Sequence, residues 1–254
     1  LGVFQLPQNC PSCQTKLVKV EDSVDLFCSN KKCPDREKNS LIFFCQKKQM
    51  DIEGLGEKQV ALLYDKKFVR TVVDLYELHQ KKEQLIELEG FGKKSVEIIL
   101  KGIEDSKQKD FKVVLPSLGF SEIGHKVTEI LIENGFTEID SILKQVRSEN
   151  PTERFLEIHG LGPRTVESLV KHFTDPDVLE TIKKLKKAGL QFKTKELKKS
   201  EFKPFENQSW CVTGSFENFQ PRDKALEIIT YYGGKKVSSV SSKTTHLLAG
   251  ESAG

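Results

Sequence analysis

The sequence predicts a multidomain fold: a small four-cysteine module, then an all-α domain of repeated helical hairpins, then a short α/β unit with a parallel sheet. Three observations predict it. Four cysteines fall in two close pairs between residues 10 and 33, a glycine-centred pattern recurs four times between residues 52 and 162, and after Ser209 the apolar spacing shortens to strand-length runs. A chain of 254 residues has room for two or three domains of ordinary size.

Composition narrows the class. Mean hydropathy is -0.42 and 30% of residues are charged, with no apolar run near the roughly 18 residues of a membrane span. No membrane partner is expected. Residues 1–9 lack the basic start and apolar centre of a secretory signal, and the chain opens on Leu1, so it is read as a fragment of a longer protein. Formal net charge is +3, but its distribution is uneven: Lys and Arg against Asp and Glu number 8 to 5 over residues 1–50, 22 to 25 over 51–190, and 10 to 7 over 191–254. If the slightly acidic middle binds a polyanion, it must use backbone amides and a few local cations rather than a bulk field.

Cys10, Cys13, Cys28 and Cys33 are spaced C-x2-C, fourteen residues, C-x4-C. Two short knuckles joined by a loop that can fold back can close a tetrahedron of thiolates around zinc. Four protein ligands leave no open position, so such a zinc is structural. Two disulfides or unrelated thiols are the alternatives, and nothing in the sequence points to an oxidising compartment. Cys45, after the apolar run Leu41–Phe44, and Cys211, in a predicted strand, fall outside the set and read as buried residues.

The middle carries the repeat. It reads Ile52-x-Gly54-Leu55-Gly56, Leu88-x-Gly90-Phe91-Gly92 and Ile158-x-Gly160-Leu161-Gly162, with a degenerate copy Phe120-x-Glu122-Ile123-Gly124. Four and seven residues past the last glycine stand Val60 and Leu63, Val96 and Ile99, Thr128 and Leu131, Val166 and Leu169. That is one face of a helix starting just beyond each turn. Glycines here allow positive φ and close backbone approach, so the amides of the following helix can meet a phosphate without reading any base. Lys58, Lys93, Lys94 and Arg164 are placed to add charge. Plain helix–helix corners are the bland alternative. Glu122 puts a carboxylate where a phosphate would come, so the third copy is expected to be structural.

Residues 191–204 are rich in lysine and lose the helical rhythm, which reads as a linker. Beyond them, a strand at Trp210–Val212, a turn at Thr213–Gly214, a helix from about Pro221 to Tyr232, and strands near Val237 and Leu247 form the α/β unit. Trp210 reads as core, and His246 as structural or solvated.

The order CPSC…CSNKKCP, MDIEGLGEK, three further hairpins and WCVTGSF resembles the C-terminal half of bacterial NAD-dependent DNA ligases over essentially the whole chain. The resemblance implies a four-cysteine zinc finger over 10–48, a helix-hairpin-helix domain over 49–190, a linker over 191–204, and a partial BRCT domain over 205–254. Residues 1–9 would be the exit from an oligonucleotide-binding domain. It also implies a parent enzyme that moves AMP from NAD to a lysine, then to the 5′-phosphate of a nick, and seals it by attack of the 3′-hydroxyl with magnesium present.

The partner implied is nicked double-stranded DNA in a bacterial cytoplasm, at the nucleoid, with a monomeric enzyme acting in replication and repair. No Lys-x-Asp-Gly signature occurs, so no catalytic residue is assigned to this chain. Thr213, Gly214 and Arg222 resemble positions that bind phosphate in some BRCT domains, against the alternative of a strand-to-helix turn with a solvated Arg. The BRCT segment is shorter than that domain in the family. It is therefore expected to expose Val212, Ile228, Val237 and Leu247, and to be partly disordered or the start of a longer chain. The competing functional readings are a non-enzymatic repair scaffold that binds branched DNA and protein partners, and a zinc-ribbon interaction module.

Overall fold

The computed structural model describes residues 6–19, 25–195, 200–220, 223–237, 239–242 and 244–252. The chain forms two compact units, Leu1–Thr194 and Lys195–Gly254.

The first unit opens with a two-stranded antiparallel hairpin, β1 (Leu17–Lys19) and β2 (Leu26–Cys28), in which Leu17 faces Cys28. Helix α1 (Pro34–Cys45) starts directly after Cys33, with Pro34 at its first position and Asp35 and Glu37 in its first turn, and it buries Leu41, Phe44 and Cys45. The helices that follow are α2 (Glu57–Asp65), α3 (Val72–Glu77), a 3-10 turn (Leu78–Lys81), α4 (Lys82–Ile86), α5 (Lys93–Ser106) and α6 (Phe111–Ser117). After them come α7 (His125–Glu133), α8 (Ile139–Val146), α9 (Glu153–Leu156), α10 (Pro163–Thr174) and α11 (Pro176–Lys187).

Side chains close several of these helices at their N-termini. The Asp74 carboxylate accepts from the Thr71 amide in a capping box, Asp110 accepts from the Lys112 amide, and Asp175 accepts from the Asp177 amide. One continuous core runs from Leu41 to Phe192 and takes the inward face of almost every helix. The apolar positions read from the repeat lie inside it: Val60, Leu63, Val96, Ile99, Leu131, Val166 and Leu169 are all buried. Thr128, the polar exception, is buried too, and its hydroxyl donates to the Gly124 carbonyl at 3.0 Å. Burial without a partner would cost about 1–3 kcal/mol, and that bond avoids it.

The stretch read as a linker is folded at both ends. Phe192 is buried, its carbonyl accepts from the Ile139 amide, and the Thr194 amide donates to Thr137, so the chain continues into the first unit beyond its last helix. At the other end Ser200 donates to Tyr231 and Phe205 to Tyr232 within the second unit. Isolated apolar residues among the lysines make these contacts, and no periodicity announces them.

Among its described residues the second unit has three strands, β3 (Ser209–Thr213), β4 (Lys235–Val237) and β5 (His246–Ala249), with helix α12 (Asp223–Tyr231) between the first two. All are parallel in the order β4-β3-β5, with Cys211 level with Val237 and Leu247. Ala225 and Ile229 of α12 pack with Val212, which is buried rather than exposed as its shortened context suggested. Leu247 and Ile228 are exposed as expected, and Val237 is half-buried. Trp210 is half-buried, donates from Nε1 to Gln208 and stacks on the exposed His246 ring at 4.5 Å. Among the described residues no helix is long and apolar enough to cross a membrane.

Candidate nucleic-acid interface and metal centre

The four cysteines predicted to act together are brought together. Their sulfurs all lie within 4.8 Å of one another, at 3.7 Å between Cys10 and Cys33 and 3.4 Å between Cys13 and Cys28. A tetrahedron with Zn–S bonds of about 2.3 Å needs sulfurs about 3.8 Å apart, whereas a disulfide needs about 2.05 Å. The spacing fits the metal and not the crosslink. Knuckle bonds hold the geometry: the Cys10 amide donates to Thr15, the Gln14 amide to Cys10, and the Cys33 amide to Asn30. Arg36 reaches back from α1 to the carbonyls of Cys28 and Asn30. Hydrogen bonding with Thr15 lowers the Cys13 thiol to about 6, while burial pushes Cys28 up to about 12. A zinc ion bound among the four sulfurs would favour the thiolate at every ligand. Cys45 is also pushed up to about 12 by burial, as an inert core thiol would be.

The module is tied to the far end of the hairpin domain. The Lys31 ammonium, between the second pair of cysteines, donates to Asp175 at 2.6 Å, and this pairing holds the Asp175 carboxyl below the usual carboxylate range. Asp175 is also the residue that caps α11.

The four glycine-centred turns share one geometry. In each, the amide of the fourth residue donates to the carbonyl of the first: Leu55 to Ile52, Phe91 to Leu88, Ile123 to Phe120, Leu161 to Ile158. The third residue has positive φ, at 81° in Gly54, 90° in Gly90 and 94° in Gly160, as a type II turn requires. Glu122 adopts 62° in the third copy, a conformation that favours glycine.

The second glycine follows a different rule. Gly56, Gly92, Gly124 and Gly162 are helix N-caps with negative φ, and around Gly92, Gly124 and Gly162 a Cβ would meet nothing within 4 Å. Neither backbone strain nor packing demands glycine there. Helices α2, α5, α7 and α10 also lack a side-chain cap, unlike α6 and α11, so their first amides are open. In α10 the first of these is Pro163, which has no amide hydrogen, leaving Arg164 and Thr165 as donors. Lys58, Lys93, Lys94 and Arg164 are exposed beside these ends, and none pairs with a carboxylate among the described residues.

The turns also work in pairs, which spacing along one chain does not reveal. A Cβ on Gly54 would lie 2.8 Å from Ile99 and 3.3 Å from Ile98 of α5, and one on Gly90 would lie 3.7 Å from Leu62 of α2. Each turn thus rests on the other's second helix. Gly160 rests in the same way on Ile130 of α7, at 3.0 Å. The residue under each partner's turn is the sixth past the second glycine: Leu62, Ile98, Ile130 and, in the fourth copy, Ser168. At that fourth place the contact is polar. Ser168 donates to the Ser121 carbonyl, and Ser121 Oγ lies 3.1 Å from His172 Nε2. His172 occupies the position of Gly102, the α5 glycine against which the Glu53 backbone packs so closely that a Cβ would sit 2.6 Å from its oxygen. The third turn therefore departs from the others at Glu122 and in its polar contact with Ser168.

Comparison with known proteins agrees with this layout. A family model described as the NAD-dependent DNA ligase C4 zinc finger domain matches residues 9–34. A SAM-like helix-hairpin-helix tandem matches 50–105 and 118–191, and the BRCA1 C Terminus (BRCT) domain matches 200–254. The DNA ligase of Leptospira interrogans is 59% identical over 252 residues, which is 99% of this chain and 37% of that protein. For the DNA ligase of Leptospira biflexa the identity is 57%, covering 99% and 38%, and for that of Acholeplasma laidlawii 36%, covering 99% and 37%. Over nearly its whole length the chain is similar to the C-terminal part of these DNA ligases.

The chain spans a little over a third of the length of the curated relatives it matches. The two helix-hairpin-helix segments each enclose one of the turn pairs. In the BRCT unit, Gly214 has φ of 83° and a Cβ there would lie 2.7 Å from the Glu251 carbonyl, so packing alone demands that glycine. The Thr213 carbonyl accepts from Gly250 as part of the same contact. Arg222, the third residue of the phosphate site suggested by the resemblance, lies outside the described residues.

Proposed function

We propose that this chain is the DNA-gripping part of an NAD-dependent DNA ligase that seals nicks in duplex DNA during replication and repair. NAD and magnesium serve the parent enzyme outside this chain. Zinc held by Cys10, Cys13, Cys28 and Cys33 fixes the finger, and the BRCT unit, with or without a phosphate site at Thr213, Gly214 and Arg222, follows the hairpin domain. The enzyme works as a monomer in the bacterial cytoplasm, at the nucleoid. The duplex is held through Gly54 and Gly56 with Lys58, Gly90 and Gly92 with Lys93 and Lys94, and Gly160 and Gly162 with Arg164.

The observation that carries this reading is the second glycine at a helix start with no side-chain cap, where open space lets something outside the chain approach the first amides closely. Backbone amides aimed at phosphates read no base, so affinity is independent of sequence and falls steeply with salt.

Fluorescence anisotropy with two duplexes of unrelated sequence tests it. Gly92→Val, which fills open space, should weaken binding to both equally and lower the salt slope by about 1. Unequal loss between the two sequences, or undiminished binding, would contradict the reading. The chain alone should form no adduct with labelled NAD.

A further inference from the structure

We propose that Asp175, at the corner between α10 and α11, is a positioning residue for the metal centre, and that zinc affinity and the closure of that corner are coupled through its pairing with Lys31. The proposal rests on the reading of the four cysteines as a zinc site and adds to it a residue far from the ligands along the chain.

The module has little of its own to hold it. Its buried cluster is Cys10, Cys28 and Cys33, with Cys13 and Leu17 packed against them. The backbone bonds of the first knuckle, from Cys10 to Thr15, Gln14 to Cys10 and Leu17 to Gln8, stay within the module. The second knuckle is fastened to the body of the first unit at two points. On one side α1 begins at Cys33, its N-cap, and Arg36 donates back to the carbonyls of Cys28 and Asn30. On the other side the Lys31 ammonium donates to Asp175 at 2.6 Å. One attachment leaves a knuckle free to pivot, whereas two fix the direction in which Cys28 and Cys33 present their sulfurs.

Lys31 meets a corner that is itself well held. The Asp175 carboxylate accepts from the Asp177 amide at 2.9 Å, while its own amide donates to the His172 carbonyl and its carbonyl accepts from Leu179. His172 in turn stacks on Phe120 at 4.8 Å and lies 3.1 Å from Ser121 Oγ. One carboxylate thus serves both as the cap of α11 and as the anchor of the knuckle. The Lys31 side chain is 72% exposed and that of Asp175 23%, so solvent screens the pair and limits its effect to roughly two- to fivefold in an equilibrium. In a module with so small a core that increment is felt at the metal, and linkage requires the effect to run in both directions.

Competition for zinc between the 254-residue chain and a chromophoric chelator at low salt tests this. Lys31→Ala leaves the cap of α11 in place, and Asp175→Ser replaces it with a residue that caps helices as well but carries no charge. Each should weaken zinc binding about two- to fivefold, and the double variant no further. In the unaltered chain, stripping zinc should speed amide exchange at Asp177 and Leu179 by a like factor, and in Lys31→Ala it should not. Unchanged affinity in either single variant, additive losses in the double variant, or exchange at Asp177 and Leu179 indifferent to zinc would overturn the proposal. No zinc uptake by the unaltered chain would instead sink the reading of the four cysteines as a metal site, and the proposal with it.

Discussion

The two glycines of each turn answer to different forces, and one substitution at each separates them. Gly160 needs its left-handed φ of 94° and has Ile130 3.0 Å from where a Cβ would go, whereas Gly162 has ordinary φ and open space. Alanine at 160 should cost about 1–2 kcal/mol of stability, the penalty of forcing an L-residue into that region. At 162, an N-cap position where glycine is favoured over alanine, alanine should cost about 0.5–1 kcal/mol, less than at 160, while still obstructing close approach to the amides. Thermal unfolding compared with duplex binding checks both. If Gly162→Ala unfolds the chain as readily as Gly160→Ala, the second glycine is a folding residue after all. From sequence the two look alike, since spacing shows that glycine is present but not whether torsion or access demands it.

Among the elements, the four-cysteine module depends most on something other than packing. Its strands are three residues long, Val18 and Phe27 on them are exposed, and its buried cluster is chiefly the ligating thiols. Metal binding there is largely folding free energy. One zinc per chain is expected, and removing it with a chelator should abolish amide protection over residues 10–33 while the helical circular dichroism stays nearly unchanged. Protection that survives chelation, or no zinc in reduced protein, contradicts this. Both the ligand set and the helix starts were legible in the sequence, because ligand spacing and the four- and seven-residue intervals are short-range signals. The pairing of turns was not. Leu62, Ile98 and Ile130 look like ordinary helix residues, and their task lies beneath a turn of another hairpin, where no period along the chain points. Asp175 escaped notice for the same reason, since its Lys31 partner is 144 residues away. Phe192, alone among lysines, anchors the start of the segment read as a linker, and no period along the chain points to it.

At the scale of the molecule the two units differ in how much holds them. The first has a continuous core from Leu41 to Phe192, whereas the second, among its described residues, buries Val212, Ala225 and Ile229 with a rim of half-covered aromatics. With so much less apolar surface buried, the second unit should open at lower free energy than the first. Native-state hydrogen exchange should then show residues 209–249 exchanging as one group well below the helical core. A single common opening free energy for both would refute it. The difference at Glu122 and Ser168 bears on how readily the third turn could be returned to the form of the others. Ser121 is bound to partners 47 and 51 residues away on another helix, so no single substitution returns the third turn to the form of the others. Glycine at 122 alone would leave a hydroxyl and an imidazole beneath it, and isoleucine at 168 alone would strip the Ser121 carbonyl of its donor. A difference tied to residues far apart in the chain is harder to reverse by one substitution than a charged side chain standing alone on a loop.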